Sequence, residues 1–153
     1  MSHSSTRSTA INATLHCLTG CAIGEVLGLI IGTALGLSSL TTLTIAISLA
    51  FVFGYSLSLI PLMKFGLGLS AAIPIVLAAD TLSILTMEIV DNSVMAIIPG
   101  AMSAGLVNPI FWVAMPFSLA VAFFAAVPVN EYLLKRGRGH ALVHKYHGGG
   151  HHE

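Results

Sequence analysis

"LHCLTGCAIGEVLGLIIGTALGL", residues 15–37, decides the fold. The stretch is apolar and long enough to cross a bilayer core as one helix, which takes roughly 20 residues. Yet its first half carries His16, Cys17, Cys21 and Glu25. A soluble protein would give such a stretch an amphipathic pattern. This one is greasy all round, with its polar groups gathered at one end.

The rest of the chain has the same character. Of 153 residues, 56% are hydrophobic and 8% are charged, and the mean hydropathy is +0.93. Soluble domains carry about 25% charged residues. So much apolar surface in so short a chain has no aqueous solution, and an all-α integral-membrane bundle is the expected class. Three more apolar runs follow, at about residues 40–63, 69–98 and 108–134. "GLSSLTT", "MKFGLG" and "PGAMSAGLVN" connect them, and Asn108 with Pro109 reads as a helix start. This divides the chain into a polar tail (1–14), a four-helix transmembrane domain (15–134) and a basic, His-rich tail (135–153). Pro116 and Pro128 are expected to bend the fourth helix. "LTGC" at 18–21 has the form of a lipoprotein cleavage signal. The apolar run follows the cysteine instead of preceding it, so the segment is expected to be retained.

Charge sets orientation. The chain has six Lys/Arg and six Asp/Glu, so its net charge favours neither nucleic acid nor an acidic partner. Arg7 precedes the first span, Lys64 lies between the second and third, and Lys135, Arg136, Arg138 and Lys145 follow the fourth. By the positive-inside rule both termini face the cytoplasm.

The carboxylates carry the functional signal. Glu25, Asp80, Glu88 and Asp91 fall in apolar segments, and none of the six basic residues does. A charged side chain at the bilayer centre costs at least about 2.5–3.5 kcal/mol. These groups must therefore be protonated, bind a cation or face water. On the third helix Asp80, Met87, Glu88, Asp91 and Met95 fit within an arc of about 100°. On the first, Cys17, Cys21 and Glu25 stand one turn apart on one face. Counting 1.5 Å per residue from the start of each span puts Glu25 and Asp80 at equal depth. His16 and Cys17 would then lie at the cytoplasmic mouth and Glu88 and Asp91 at the outer one. Thiolates suit soft ions such as Cu(I), and imidazole accepts Cu, Zn and Ni. The tail "RGRGHALVHKYHGGGHHE" adds His140, His144 and His147 on one helical face, then His151 and His152. Plainer roles exist for each group: hydrogen-bonded acids, interfacial acids, packing thiols and a solvated tail. Gly20, Gly24, Gly28, Gly32 and Gly36 form a small-residue stripe, suited to packing within the bundle or to a homo-oligomer seam.

"HCLTGCAIGEVLGLIIG" resembles the opening motif of a family of small bacterial membrane proteins known only as a domain of unknown function, DUF4396. "AADTLSILTMEIVDN" extends the likeness. The shared pattern is His16, Cys17, Gly20, Cys21, Gly24 and Glu25. The resemblance implies a bacterial multi-span protein and brings no activity, cofactor or site residue with it.

The residues favour a transporter or channel component for a transition-metal cation (Cu, Zn or Ni), non-enzymatic and homo-oligomeric in the lipid bilayer. The candidate ligands are His16, Cys17, Cys21, Glu25, Asp80, Glu88, Asp91 and the five tail histidines. A membrane thiol redox enzyme and a non-catalytic assembly subunit stay open. The Cys-x-x-x-Cys spacing disfavours the first of these, since thiols at i, i+4 on a helix close poorly into a disulfide. Reporter fusions after Gly36 and Gly105 are expected to read periplasmic, and a fusion after Lys64 cytoplasmic. A periplasmic Lys64 fusion would invert the topology.

Overall fold

A computed structural model of the chain describes residues 3–64 and 66–136. These form four helices: α1 (His3–Ala34), α2 (Ser39–Lys64), α3 (Leu69–Ile97) and α4 (Pro109–Lys135). All four are long and apolar enough to cross a membrane, and the described residues contain no strand. The chain is an all-α multi-pass membrane protein.

The helix ends follow from local chemistry. Asn108 accepts a hydrogen bond from the Ile110 backbone N–H (3.0 Å) and caps α4, with Pro109 in the first turn. Ser38 accepts from Thr41 N–H (3.3 Å) and starts α2. Helices α1 and α2 stop in the same way. Gly36 and Gly66 take positive φ (63° and 88°), and Leu37 and Leu67 donate back to the carbonyls of Gly32 and Leu62. This glycine-terminated turn satisfies the last carbonyls without a side chain. Pro61, Pro74, Pro116 and Pro128 all lie inside continuous helices.

One boundary differs from the sequence expectation. Residues 3–14, taken as part of a polar tail, form the first three turns of α1. Ala10, Ala13 and Thr14 are buried in the bundle. The Ser/Thr content misleads because a helical hydroxyl can return its proton to the carbonyl four residues back. Thr14 and Thr19 do so to Ala10 and Leu15 (2.7 and 2.8 Å), as do Thr44, Ser48, Ser56, Thr86 and Ser93 on outward faces. A hydroxyl bonded in this way no longer demands water.

The interior is built of small and polar residues, the outside of large apolar ones. Helix α2 buries Ala46, Ala50, Gly54 and Ser58, and α4 buries Ala114, Ser118, Ala122, Ala126 and Asn130, each at four-residue spacing. Leu15, Ile23, Ile30, Val52, Leu77, Leu85, Ile89, Val113, Phe117 and Phe124 face outward. Lipid tails are as apolar as leucine, so what holds helices together here is close backbone approach and internal hydrogen bonding.

The closest approach is between α1 and α2. A Cβ at Gly20 would strike the Gly54 backbone, at Gly24 the Ala50 backbone, at Gly28 Ala46, and at Gly32 the Thr42 side chain. Gly20, Gly24, Gly28 and Gly32 are therefore packed against α2 of the same chain, while a Cβ at Gly36 would meet nothing within 4 Å. Gly24→Ala is expected to destabilise the bundle by about 1–3 kcal/mol, because the contact is backbone on backbone and cannot yield. Gly105→Ala, where a Cβ meets nothing within 4 Å, should be close to neutral. Thermal unfolding of both variants in detergent measures the difference.

Candidate functional site

Helix α3 supplies the floor of the site. Asp80, Ser83, Met87, Glu88, Asp91 and Met95 are all buried, on one face, as the helical arc predicts. Asp80 is 1% exposed, and Glu88 and Asp91 are 3% exposed. The two latter thus face the inside of the bundle. Opposite them α1 brings Cys17 and Cys21, both buried free thiols, and then Glu25, which is half-buried.

Two polar layers result. The first lies toward the end that carries both chain termini. Asn130 of α4 donates to Thr14 Oγ1 of α1 (2.7 Å) and to Ser83 Oγ of α3 (2.9 Å), so one amide ties three helices. Thr14 passes its own proton to the Ala10 carbonyl. Ser83 is in hydrogen-bonding contact with the Cys17 thiol, and Asp80 lies close enough to Cys17 to act on it electrostatically.

The second layer lies deeper. The Cys21 thiol is in hydrogen-bonding contact with the Glu88 carboxyl group. The Asn92 amide lies 3.5 Å from Glu88 Oε2 and donates to the Glu88 backbone carbonyl at 2.8 Å. Glu25 of α1 and Asp91 of α3 lie close enough to act on each other electrostatically, and Ser118 of α4 lies beside Asp91. Ser118 also donates to the Met115 carbonyl (2.9 Å). Glu25 Oε1, Glu88 Oε1 and Asp91 Oδ1 are buried oxygens that meet no donor among the described residues.

Between the layers stand Ile84 and Met87, in one apolar cluster with Cys17, Cys21, Ala50, Ala122 and Ala126. The two thiols are the polarisable groups that bridge this cluster. Met95 belongs to a separate apolar cluster with Phe111 and Met115.

The sequence-derived pairing of Glu25 with Asp80 is corrected. Glu25 meets Asp91 and Glu88, while Asp80 sits beside Cys17, nearer the termini. The depth count began α1 at Leu15. The apolar span begins at Thr6, and it runs 29 residues, the same length as Leu69–Ile97 of α3. Aligning the two starts brings residue 17 level with 80 and residue 25 level with 88. His16 is also displaced from its expected place. It is exposed, its ring Nδ1 lies 2.9 Å from the Asn12 carbonyl, and it faces away from both layers. His140, His144, His147, His151 and His152 lie outside the described residues. Among the described residues no three His, Cys, Asp or Glu side chains converge as a ready ligand set for a metal ion.

Thr14, Ser83, Ser118 and Asn130 were not singled out from the sequence. Their signal was the four-residue spacing of small residues on α4, which ends at Asn130, and a threonine on the polar side of a misplaced boundary.

The comparisons give a family and no activity. Residues 6–139 match the family described as "Domain of unknown function (DUF4396)". The chain belongs to that family. No curated protein and no solved structure matches it. The matched span starts where the apolar part of α1 starts and takes in both polar layers, so the layers are part of what the family match covers.

Asn130→Leu is expected to cost about 0.6–2 kcal/mol, since it strands Thr14 and Ser83 at once in a medium without water. Adding Thr14→Val and Ser83→Ala should recover part of that loss. A triple variant no more stable than Asn130→Leu would mean that the amide acts by packing alone.

Proposed function

We propose that this chain is a transporter or channel component for a transition-metal cation in a bacterial inner membrane, with both termini cytoplasmic. One observation carries the reading. Cys21, Glu25, Glu88 and Asp91 are gathered in the bundle interior, and no described lysine or arginine stands among them. Carboxyl groups at membrane depth without a basic partner are matched to a positive species, proton or metal ion, and repel an anion.

Cys17 and Cys21 narrow the cargo. They bridge the two polar layers, and thiolates hold Cu(I) and similar soft ions better than hard ones. The ion is substrate here and not a resident cofactor. A path must bind its cargo weakly enough to release it, which accords with a column of one- and two-residue contacts in place of a finished ligand cage. The His-rich tail is proposed as the cytoplasmic collector or acceptor for the same ions. If the chain forms a homo-oligomer, its seam lies on the lipid-facing surfaces, since α2 covers the glycines of α1.

Metal accumulation and protein level in cells test the reading. Glu25→Gln and Asp91→Asn are each expected to change Cu or Zn accumulation by about tenfold or more, downward if the chain imports the ion and upward if it exports it, the scale of one lost charge interaction. The double variant should cost little beyond the worse single one, because the two groups act as a unit. Cys17→Ser with Cys21→Ser should affect copper before zinc. Variants that all accumulate metal like the parent chain at equal protein level would overturn the proposal in favour of an assembly subunit. If the cysteine changes impair cellular thiol oxidation while metal levels never respond, the redox reading replaces it.

A further inference from the structure

Three sulfur-bearing side chains are packed into one buried cluster. Cys17, Cys21 and Met87 are 0%, 1% and 1% exposed, and all three belong to it. Both cysteines are free thiols. They stand one turn apart on α1, so their side chains share a face.

Register brings the thioether to the thiols. The apolar spans of α1 (Thr6–Ala34) and α3 (Leu69–Ile97) are each 29 residues long. Helix α2 turns the chain back between them, so α1 and α3 run in the same direction. With the two starts level, Cys21 stands opposite Ile84, and Met87 comes about one turn further on. A helical side chain leans toward the N-terminal end of its helix and covers the preceding turn. Met87 therefore reaches back to the level of Cys21, in keeping with the cluster they share. The other two helices close this cluster with Ala50 of α2 and with Ala122 and Ala126 of α4, each 0% exposed. Alanine neither ligates an ion nor hydrogen-bonds a thiol through its side chain. Among the described residues no three His, Cys, Asp or Glu side chains converge, and methionine supplies the third donor.

We propose that Cys17, Cys21 and Met87 form a three-sulfur site for Cu(I), in which the Met87 thioether is the ligand that separates copper from zinc. This deepens the transport reading by naming the station at which the cargo is selected, and it rests on that reading for the ion's arrival and departure. Thiolate and thioether are soft donors matched to Cu(I). Zn(II) draws on thiolate, imidazole and carboxylate instead of thioether. Atoms and charge balance. Each thiol loses its proton to the aqueous phase as its sulfur bonds copper, copper stays Cu(I), and no electron moves. One Cu(I) in place of two protons leaves the site with one negative charge. Three ligands, one of them neutral, make an open station and not a closed cage.

The full chain, purified in detergent without oxygen and loaded with less than one equivalent of Cu(I), tests the site by X-ray absorption and by competition with a Cu(I) chelator. The parent chain should show a copper shell of three sulfurs. A shell of fewer sulfurs, or one led by nitrogen or oxygen, overturns the proposal whether or not any variant folds. Met87→Leu keeps the apolar character and nearly the volume of the side chain. It should remove one sulfur from the shell and weaken Cu(I) binding by about tenfold or more, at least the loss that follows removal of an outer-shell partner. Zn(II) binding should stay as in the parent. An unchanged sulfur count or Cu(I) affinity in Met87→Leu overturns the proposal and leaves Met87 a packing residue. Equal weakening of Cu(I) and Zn(II) overturns it too. Met95→Leu, in the separate cluster with Phe111 and Met115, should bind both ions as the parent does. Copper accumulation in cells tests the transport reading apart from the site. A three-sulfur shell in the parent, with cellular copper unchanged by Met87→Leu, supports the site and overturns its place in transport.

Discussion

A membrane interior holds no water, and every feature of this bundle answers to that. A buried acid in a soluble protein can be relieved by a solvent channel or a surface lysine. Here the described basic residues sit at helix ends or outside the spans, as Lys64, Lys135 and Arg136 do. Polar groups must find one another inside or remain orphaned. Asn130 finds Thr14 and Ser83. The outward hydroxyls find carbonyls of their own helices. Among the described residues, the carboxyl groups of the second layer have each other, a thiol, an amide and a serine as neighbours.

That constraint inverts the usual distribution of side-chain size. Lipid rewards large apolar residues on the outside, whereas a polar column inside needs helices close enough for short side chains to meet. Glycine and alanine on α1, α2 and α4 supply the closeness. The backbone contact at Gly24 and Ala50 holds α1 in place while its adjacent face presents Cys21 and Glu25 to α3. A side chain at the stripe would lift α1 away from α2 and disturb the level at which Glu25 meets Asp91. The stripe and the site are thus two faces of one helix with one function between them.

Much of this was legible from residues alone. Four spans, the Asn108 cap and the common face of Asp80, Glu88 and Asp91 follow from apolar run length, capping chemistry and helical periodicity. The pairing across helices was not legible, because depth was counted from where polarity seemed to end. Thr14 and Thr19 count as polar in composition, yet both are silenced by bonds to the preceding turn. The error of nine residues at the start of α1, from Leu15 to Thr6, moves every later residue by more than two turns relative to α3. His16 was misplaced for a different reason. It neighbours Cys17 in sequence, but successive helical residues point about 100° apart, and only one of them can face the interior.

The two layers differ in what they can do. Asn130 bonded to Thr14 and Ser83 forms a buried network that fixes α1, α3 and α4 against one another. In the layer of Glu25, Glu88 and Asp91, one buried oxygen of each carboxyl group meets no donor among the described residues. Cys17 and Cys21 link the two across the apolar cluster of Ile84 and Met87. A soft ion can use that link because thiols accept it without demanding water, whereas a hydrated hard ion would have to shed its shell among apolar side chains. The selectivity of the proposed path therefore resides in the apolar gap between the polar layers as much as in the carboxyl groups themselves.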